Sequence, residues 1–90
     1  MGSKDRDMIA LAQFQLNALE FCQQVCQLGK TLQVDVGEAS VALQDDVSKA
    51  SLHRVECIAD KLMDIGRYGQ QEMTIALHRT RADLGLWNNM

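Results

Sequence analysis

Apolar residues recur in the first third of the chain at alternating intervals of three and four positions. This is the heptad spacing of a helix that packs against another helix. The spacing is kept from residue 11 to residue 32 with no proline to interrupt it. We therefore predict a helix over about residues 4–33. Its core positions are Leu11, Phe14, Ala18, Phe21, Val25, Leu28 and Leu32.

A second apolar stripe adjoins the first on the helical wheel, and the polar residues form only a narrow strip. A helix that is apolar around most of its circumference needs cover on more than one side. The first stripe, through Leu28, is therefore predicted to be a self-association core, and truncation of Phe21 in its middle is expected to be costly. The second stripe is predicted to bind a partner, together with two residues further along the chain. This predicted partner-binding set is Met8, Ala12, Leu19, Cys22, Cys26, Leu52 and Met63.

The next helix has a start signal at Asp35. Glu38 follows three positions later, which is the spacing of a capping box. The pattern predicts a second helix over about residues 36–86 after a short turn. Residues 31–36 also alternate like a short strand, but the chain offers that strand no partner, so the helical interpretation is favoured. The apolar stripe of the second helix is Val55, Ile58 or Ala59, Leu62, Ile65, Gly69, Met73, Ala76, Thr80, Leu84 and Trp87.

Two glycines, Gly66 and Gly69, could interrupt the second helix, since each costs a helix interior about 1 kcal/mol relative to alanine. Continuity, with or without a kink at residues 66–69, is favoured because the stripe keeps its phase across them. Both glycines also lie on the stripe, where small residues let a neighbouring backbone approach. The predicted fold is an all-α long helical hairpin that packs as a helical-bundle dimer. The alternative is a three-helix bundle with helices at about residues 5–30, 37–66 and 70–86.

The composition suits one small helical domain over residues 1–90. Hydrophobic residues make up 47% of the chain and charged residues 23%. A chain this short builds a marginal core by itself, which is a further reason to expect a homodimer. Residues 1–3 are interpreted as an expression-vector remnant, and residues 88–90 as a frayed end.

Charge and targeting signals narrow the classes of partner. The formal net charge is −3, and lysine and arginine form no cluster that would neutralise phosphates, so no nucleic-acid partner is expected. Glutamines interrupt the apolar residues 8–29, which argues against a membrane span. The leading charges are mixed in sign and no cleavage site follows them, so a cytoplasmic location is expected.

Two cysteine-containing pairs form the sharpest chemical pattern. Cys22 and Cys26 stand four positions apart, as do His53 and Cys57, and this spacing lets two side chains share a metal ion. His53, however, falls on a polar helix face and the first two cysteines on an apolar one. Bringing the pairs together would require a turn near residue 39 or 40, where helix is predicted. We therefore predict reduced cysteines, no metal and no cofactor.

A catalytic interpretation also lacks support. Cys57, His53 and Asp60 share one exposed helix face, and neighbours on such a face do not build a pocket that excludes water.

The sequence favours a small non-catalytic protein-binding protein that is chaperone-, anti-activator- or inhibitor-like and acts through an apolar helix face. The alternative is a self-assembling structural or surface-coating protein. Residues 10–28 resemble in composition the helices of phasins, which coat storage granules, and this resemblance implies such a coating role.

Overall fold

The computed structural model describes residues 3–85, which form two helices. Helix α1 (Ser3–Ala42) and helix α2 (Asp46–Gly85) contain 40 residues each and pack along their length as an antiparallel hairpin. The hairpin measures 66 × 21 × 14 Å, and its radius of gyration is 19.8 Å, against about 12 Å for a compact chain of this length. The predicted all-α hairpin is confirmed. Trp87 and the predicted frayed end lie outside the described residues, as do residues 1 and 2 of the interpreted remnant.

Helix α2 runs unbroken through residues 66–69, so the three-helix alternative is wrong. Each of these glycines lies against the backbone or a cysteine of α1. A side chain at Gly66 would place its Cβ 2.7 Å from the Cys26 backbone nitrogen and 2.8 Å from the Cys22 carbonyl oxygen. The glycines therefore serve close approach of the two helices and not a break in one of them.

The turn lies at residues 43–45, about nine positions later than predicted. Val36 is 8% exposed and packs in the hairpin, so α1 continues past the proposed start signal. Asp35 and Glu38 are exposed residues within α1, and neither caps a helix. The strand interpretation of residues 31–36 is also wrong, because those residues are helical. Burial of Val36 against α2 outweighs the local capping pattern.

Asp45 supplies the actual cap of α2. Its Oδ2 accepts a hydrogen bond from the Ser48 backbone N–H at 2.9 Å. A carboxylate at this position satisfies one of the unpaired N–H groups of the first helical turn. Hydrogen bonds from Ser48 lower the pKa of Asp45 below its usual value of 3.8, because they favour the charged form.

The cap predicts a specific dependence of stability on pH. Folding lowers the pKa of Asp45, so the ionised carboxylate contributes to the free energy of unfolding. This contribution is complete at pH values above the pKa in the unfolded state and is lost as the pH falls through the pKa in the folded state. We expect Asp45→Asn, which keeps a good capping side chain, to remove this contribution to acid destabilisation. Urea unfolding of both proteins from pH 6 to pH 2 measures the effect. Parallel pH profiles for Asp45→Asn and the wild type would contradict the assignment.

The two helices meet along a line of mostly small residues, which we call the contact seam. Ala59 is completely buried in it, and Gly29 lies against the Ala59 carbonyl and Met63. Few side chains are fully enclosed, since the small residues bring the two backbones together with little apolar surface between them. The seam residues are Gln15, Cys22, Cys26, Gly29 and Val36 of α1 with Ala59, Gly66, Gly69, Leu77 and Thr80 of α2.

Polar groups also join the two helices. The side-chain amide of Gln33 donates a hydrogen bond to Asp60 Oδ1 across the hairpin. The buried Thr80 does not bridge the helices: it donates its hydroxyl within α2, to the Ala76 carbonyl at 3.0 Å. Together with the glycine contacts, the Gln33–Asp60 bond fixes the register, with Gly29 beside Met63 and Cys26 beside Gly66.

Candidate protein-interaction face

The large apolar side chains of α1 lie outside the contact seam. Phe14 is 65% exposed, Phe21 64% and Leu28 61%, although the heptad pattern predicts them as core. Leu11 is also exposed, whereas Ala18, Val25 and Leu32 are half-buried. The predicted self-association core is therefore not the core of the hairpin.

The predicted partner-binding set has the opposite placement. Cys26 is buried, and the other six residues are half-buried along the contact between the helices: Met8, Ala12, Leu19, Cys22, Leu52 and Met63. The two stripes of α1 have the same period, so spacing does not distinguish them. The hairpin uses the stripe with cysteine and glycine, because small residues allow the closer approach.

A simple offset describes where the exposed apolar residues lie. On α1, Phe21 immediately precedes the seam residue Cys22, and Leu28 precedes Gly29. On α2, Ile58 precedes Ala59 and Ile65 precedes Gly66. One residue corresponds to a rotation of about 100° around a helix axis. In both helices these side chains are therefore rotated from the seam by the same amount and in the same sense.

Equal rotations place the two exposed stripes on one side of the hairpin. Two antiparallel helices in contact are related by a twofold axis perpendicular to the plane that contains both helices. This rotation exchanges the helices but leaves each side of the hairpin on the same side. Residues displaced equally from the seam in sequence therefore project from the same side. We call this surface the apolar face. It comprises Leu11, Phe14, Ala18, Phe21, Val25, Leu28 and Leu32 of α1 with Ile58 and Ile65 of α2, and Tyr68, which precedes Gly69, lies at its edge.

The apolar face is large for so small a chain. Residues 11–32 span about 31 Å at about 1.5 Å per residue, and the hairpin is 21 Å wide. These dimensions give roughly 650 Å² for the whole face, charged positions of α2 included. The α1 half alone, about 330 Å², is within the roughly 300–600 Å² of the largest apolar patch of a typical monomer. Patches of this size mark interaction surfaces.

Charged residues occupy several other positions of α2 that precede a half-buried or buried residue. Arg54 precedes Val55, Lys61 precedes Leu62, Glu72 precedes Met73 and Arg79 precedes Thr80, and all four charged residues are exposed. The seven α1 residues of the face, from Leu11 to Leu32, are all uncharged. One half of the face is thus purely apolar, and the other alternates apolar and charged side chains.

The opposite side of α1 carries fewer large apolar residues. Val34 lies on this opposite side, because it follows the half-buried Gln33, whereas residues of the apolar face precede such a residue. Val34 is 60% exposed. This matches the 61% exposure of Leu28 on the apolar face. The two residues form a natural pair for comparing the two sides of one helix.

The two cysteine-containing pairs that have the spacing of metal ligands do not come together in the hairpin. Cys22 and Cys26 lie beside Gly66 and Gly69, whereas His53 and Cys57 lie nearer the turn. The Cys57 Sγ and His53 Nε2 atoms are 3.7 Å apart on the surface of α2. Across residues 3–85, no three histidine, cysteine or acidic side chains are grouped as ligands of one ion.

The three thiols are expected to differ sharply in reactivity. Cys57 is exposed, Cys22 is half-buried and Cys26 is only 6% exposed. With Ellman's reagent in native buffer we expect Cys57 to react first and Cys26 only through opening of the hairpin, at least ~100-fold more slowly. The variant Cys57→Ser should lose the fast phase alone. Equal rates for all three thiols would contradict the seam.

An open groove lies beside the turn, between the end of α1 and the start of α2. Its ionisable residues, Lys49, His53 and Glu56, are all exposed. Leu52 and Val36 form its apolar floor, next to the contact seam. The groove is a shallow continuation of the helix–helix contact.

Comparisons of the chain with protein-family models, with curated proteins and with solved structures find no match. Within residues 3–85, neither helix carries a segment of the length and hydropathy that a bilayer crossing requires.

Proposed function

We propose that the protein acts without catalysis, as a helical hairpin that binds another polypeptide through its apolar face. One observation carries this proposal: both helices direct large apolar side chains to the same side, away from their own contact. Amphipathic helices commonly recognise proteins by packing such a face against other helices. Chaperone-, anti-activator- and inhibitor-like roles all use this mode of binding.

The charged half of the face favours a polypeptide as the occupant. A storage-granule or oil surface would cover the same apolar residues, which is the alternative role as a coating protein. Such a surface offers no counter-charge to Arg54, Lys61, Glu72 and Arg79, and desolvating an unpaired charge is costly. A protein partner can place its own charged or polar groups beside these positions.

Affinity capture with matched variants tests the proposal. The baits are the wild type, Leu28→Glu on the apolar face and Val34→Glu on the opposite side. We expect the wild type and Val34→Glu to retain a common set of polypeptides, other copies of the chain included, that Leu28→Glu loses. Capture of the same set by all three baits would contradict the proposal.

Adsorption to an oil emulsion distinguishes protein binding from the alternative role in surface coating. The three proteins are mixed with a dispersed triglyceride, and the bound fraction is measured after flotation. The proposal expects little adsorption by any of them. Strong adsorption of the wild type and Val34→Glu but not of Leu28→Glu, with no polypeptide captured, would replace protein binding by surface coating.

A further inference from the structure

We propose that the polypeptide covering the apolar face is a second copy of this chain, in a dimer of hairpins with both turns at the same end. This inference rests on the proposed function and names the occupant of the same face. It does not involve the contact seam, which stays within each hairpin.

The area of the face suits self-association. Two copies packed face to face would remove roughly 1,300 Å² from water, counting about 650 Å² from each. Stable protein interfaces bury about 1,200–2,000 Å² in total. The pairing would also produce four helices around a shared core, which is a common solution for hairpins with an apolar side.

A symmetric face-to-face dimer can form in two ways. If the twofold axis runs along the helices, both turns lie at one end and α1 of each copy packs on α2 of the other. If the axis runs across the helices, the turns lie at opposite ends and each helix packs on its own equivalent. Both arrangements cover the same apolar residues, so the charges at the edges of the face must distinguish them.

With the turns at the same end, opposite charges meet at the part of the face nearest the turns. Asp35 precedes the seam residue Val36, so it lies on the same side as the apolar face. Asp35 is six positions nearer the turn than Gly29, which lies beside Met63. Counting six positions from Met63 toward the turn on α2 gives Cys57, which is therefore at the level of Asp35. Asp35 of one copy therefore falls between Arg54 and Lys61 of the other.

With the turns at opposite ends, like charges meet. Rotating one copy about the midpoint of the face, near Phe21, brings Asp35 beside Asp7 of the second copy. The same rotation brings Lys61 near the level of Arg79 of the second copy. Like charges directly opposed across an interface disfavour it. The arrangement with both turns at one end brings Asp7 near the level of Asp83 of the second copy, which is also a like-charge contact. It is nevertheless favoured, because only this arrangement places Asp35 between two cations.

Sedimentation equilibrium of matched variants tests the occupant. We expect the wild type and Val34→Glu to dimerise with similar dissociation constants, because residue 34 lies away from the interface. Leu28→Glu buries a carboxylate in each copy and should raise the dissociation constant at least ~100-fold. A wild type that stays monomeric, or equal effects of the two substitutions, would overturn the inference. Far-UV circular dichroism checks that each variant remains helical.

The charge-reversal variant Asp35→Lys tests the arrangement by the sign of its effect. With both turns at one end, the introduced ammonium group would face two cations of the second copy and weaken the dimer, by roughly 3–10-fold at low salt. Adding Lys61→Glu should restore part of the affinity. With the turns at opposite ends, the same change would relieve the repulsion from Asp7 and strengthen the dimer. A tighter Asp35→Lys dimer would therefore overturn the proposed arrangement.

Crosslinking of native lysines gives an independent readout. Within one hairpin, Lys4 and Lys49 lie near opposite ends, about 55 Å apart at about 1.5 Å per residue. Disuccinimidyl suberate cannot join them, and it cannot join them between copies when both turns are at one end. A Lys4–Lys49 crosslink in the dimer would overturn the arrangement. Its absence supports the arrangement, provided that a Lys30–Lys61 crosslink confirms the reaction.

The failure of this inference differs from the failure of the proposed function. A monomeric wild type that still captures a polypeptide through Leu28 would overturn the second copy and leave the proposed function standing. A monomer whose captured polypeptides are unaffected by Leu28→Glu would overturn both.

Discussion

Replacing Gly66 with leucine is expected to abolish the folded hairpin at room temperature. The new Cβ would lie 2.7–2.8 Å from backbone atoms of Cys22 and Cys26 on α1. Backbone atoms within a helix cannot rotate aside, so the two helices must separate along the seam. Small-to-large changes in packed cores cost about 1–3 kcal/mol where neighbours adjust, and more is expected here. Circular dichroism against temperature measures the loss.

Alanine substitutions provide a matched control. Gly66 and Gly37 both lie inside helices, and a Cβ added at Gly37 would have nothing within 4 Å. Gly37→Ala should gain the helix propensity of alanine, about 1 kcal/mol. Gly66→Ala gains the same propensity but creates the close contact, so its melting temperature should fall while that of Gly37→Ala rises. A rise in both would show that the helices are not as close as described.

Truncating Phe21 to alanine is expected to have two different effects, depending on protein concentration. The side chain is 64% exposed in a single hairpin, where surface truncations change stability by about 0.5 kcal/mol or less. In the proposed dimer the same ring is buried at the centre of the interface, where loss of a phenylalanine costs about 3–5 kcal/mol. Thermal unfolding at concentrations above and below the dissociation constant separates the two contributions.

The comparison uses wild type and Phe21→Ala side by side. At high concentration the variant should melt well below the wild type, and after dilution the two curves should converge. A large effect at every concentration would place Phe21 in the core of a single hairpin. No effect at any concentration would remove Phe21 from any interface.

Hydrophobic periodicity alone predicted the helical hairpin, but not which stripe joins its helices. Two stripes of α1 share one heptad spacing, and the first of them was predicted to be the core from that spacing. The hairpin instead closes on the stripe with Cys26 and Gly29, because close backbone approach depends on the smallest residues of both helices together. Gly66 and Gly69 carried that signal in the second helix.

The turn and half of the apolar face were also not predicted. The capping pattern at Asp35 is a local signal, and burial of Val36 against α2 outweighs it. Ile65 was assigned to the core stripe and the choice between Ile58 and Ala59 was left open, since a helical wheel without a partner does not fix which neighbouring position faces inward. The register does so: Ala59 and Gly66 meet α1, and the isoleucine before each turns outward.

Small-angle X-ray scattering of the wild type tests most directly whether the apolar face is covered by a second copy. The chain has a mass of 10.1 kDa, and its hairpin is 66 Å long. Side-by-side pairing doubles the mass and thickens the particle while leaving its length almost unchanged. We therefore expect about twice the monomer mass from the forward scattering, with a longest dimension close to that of one hairpin. A particle of 10.1 kDa at high concentration, or one of doubled mass and doubled length, would contradict the account.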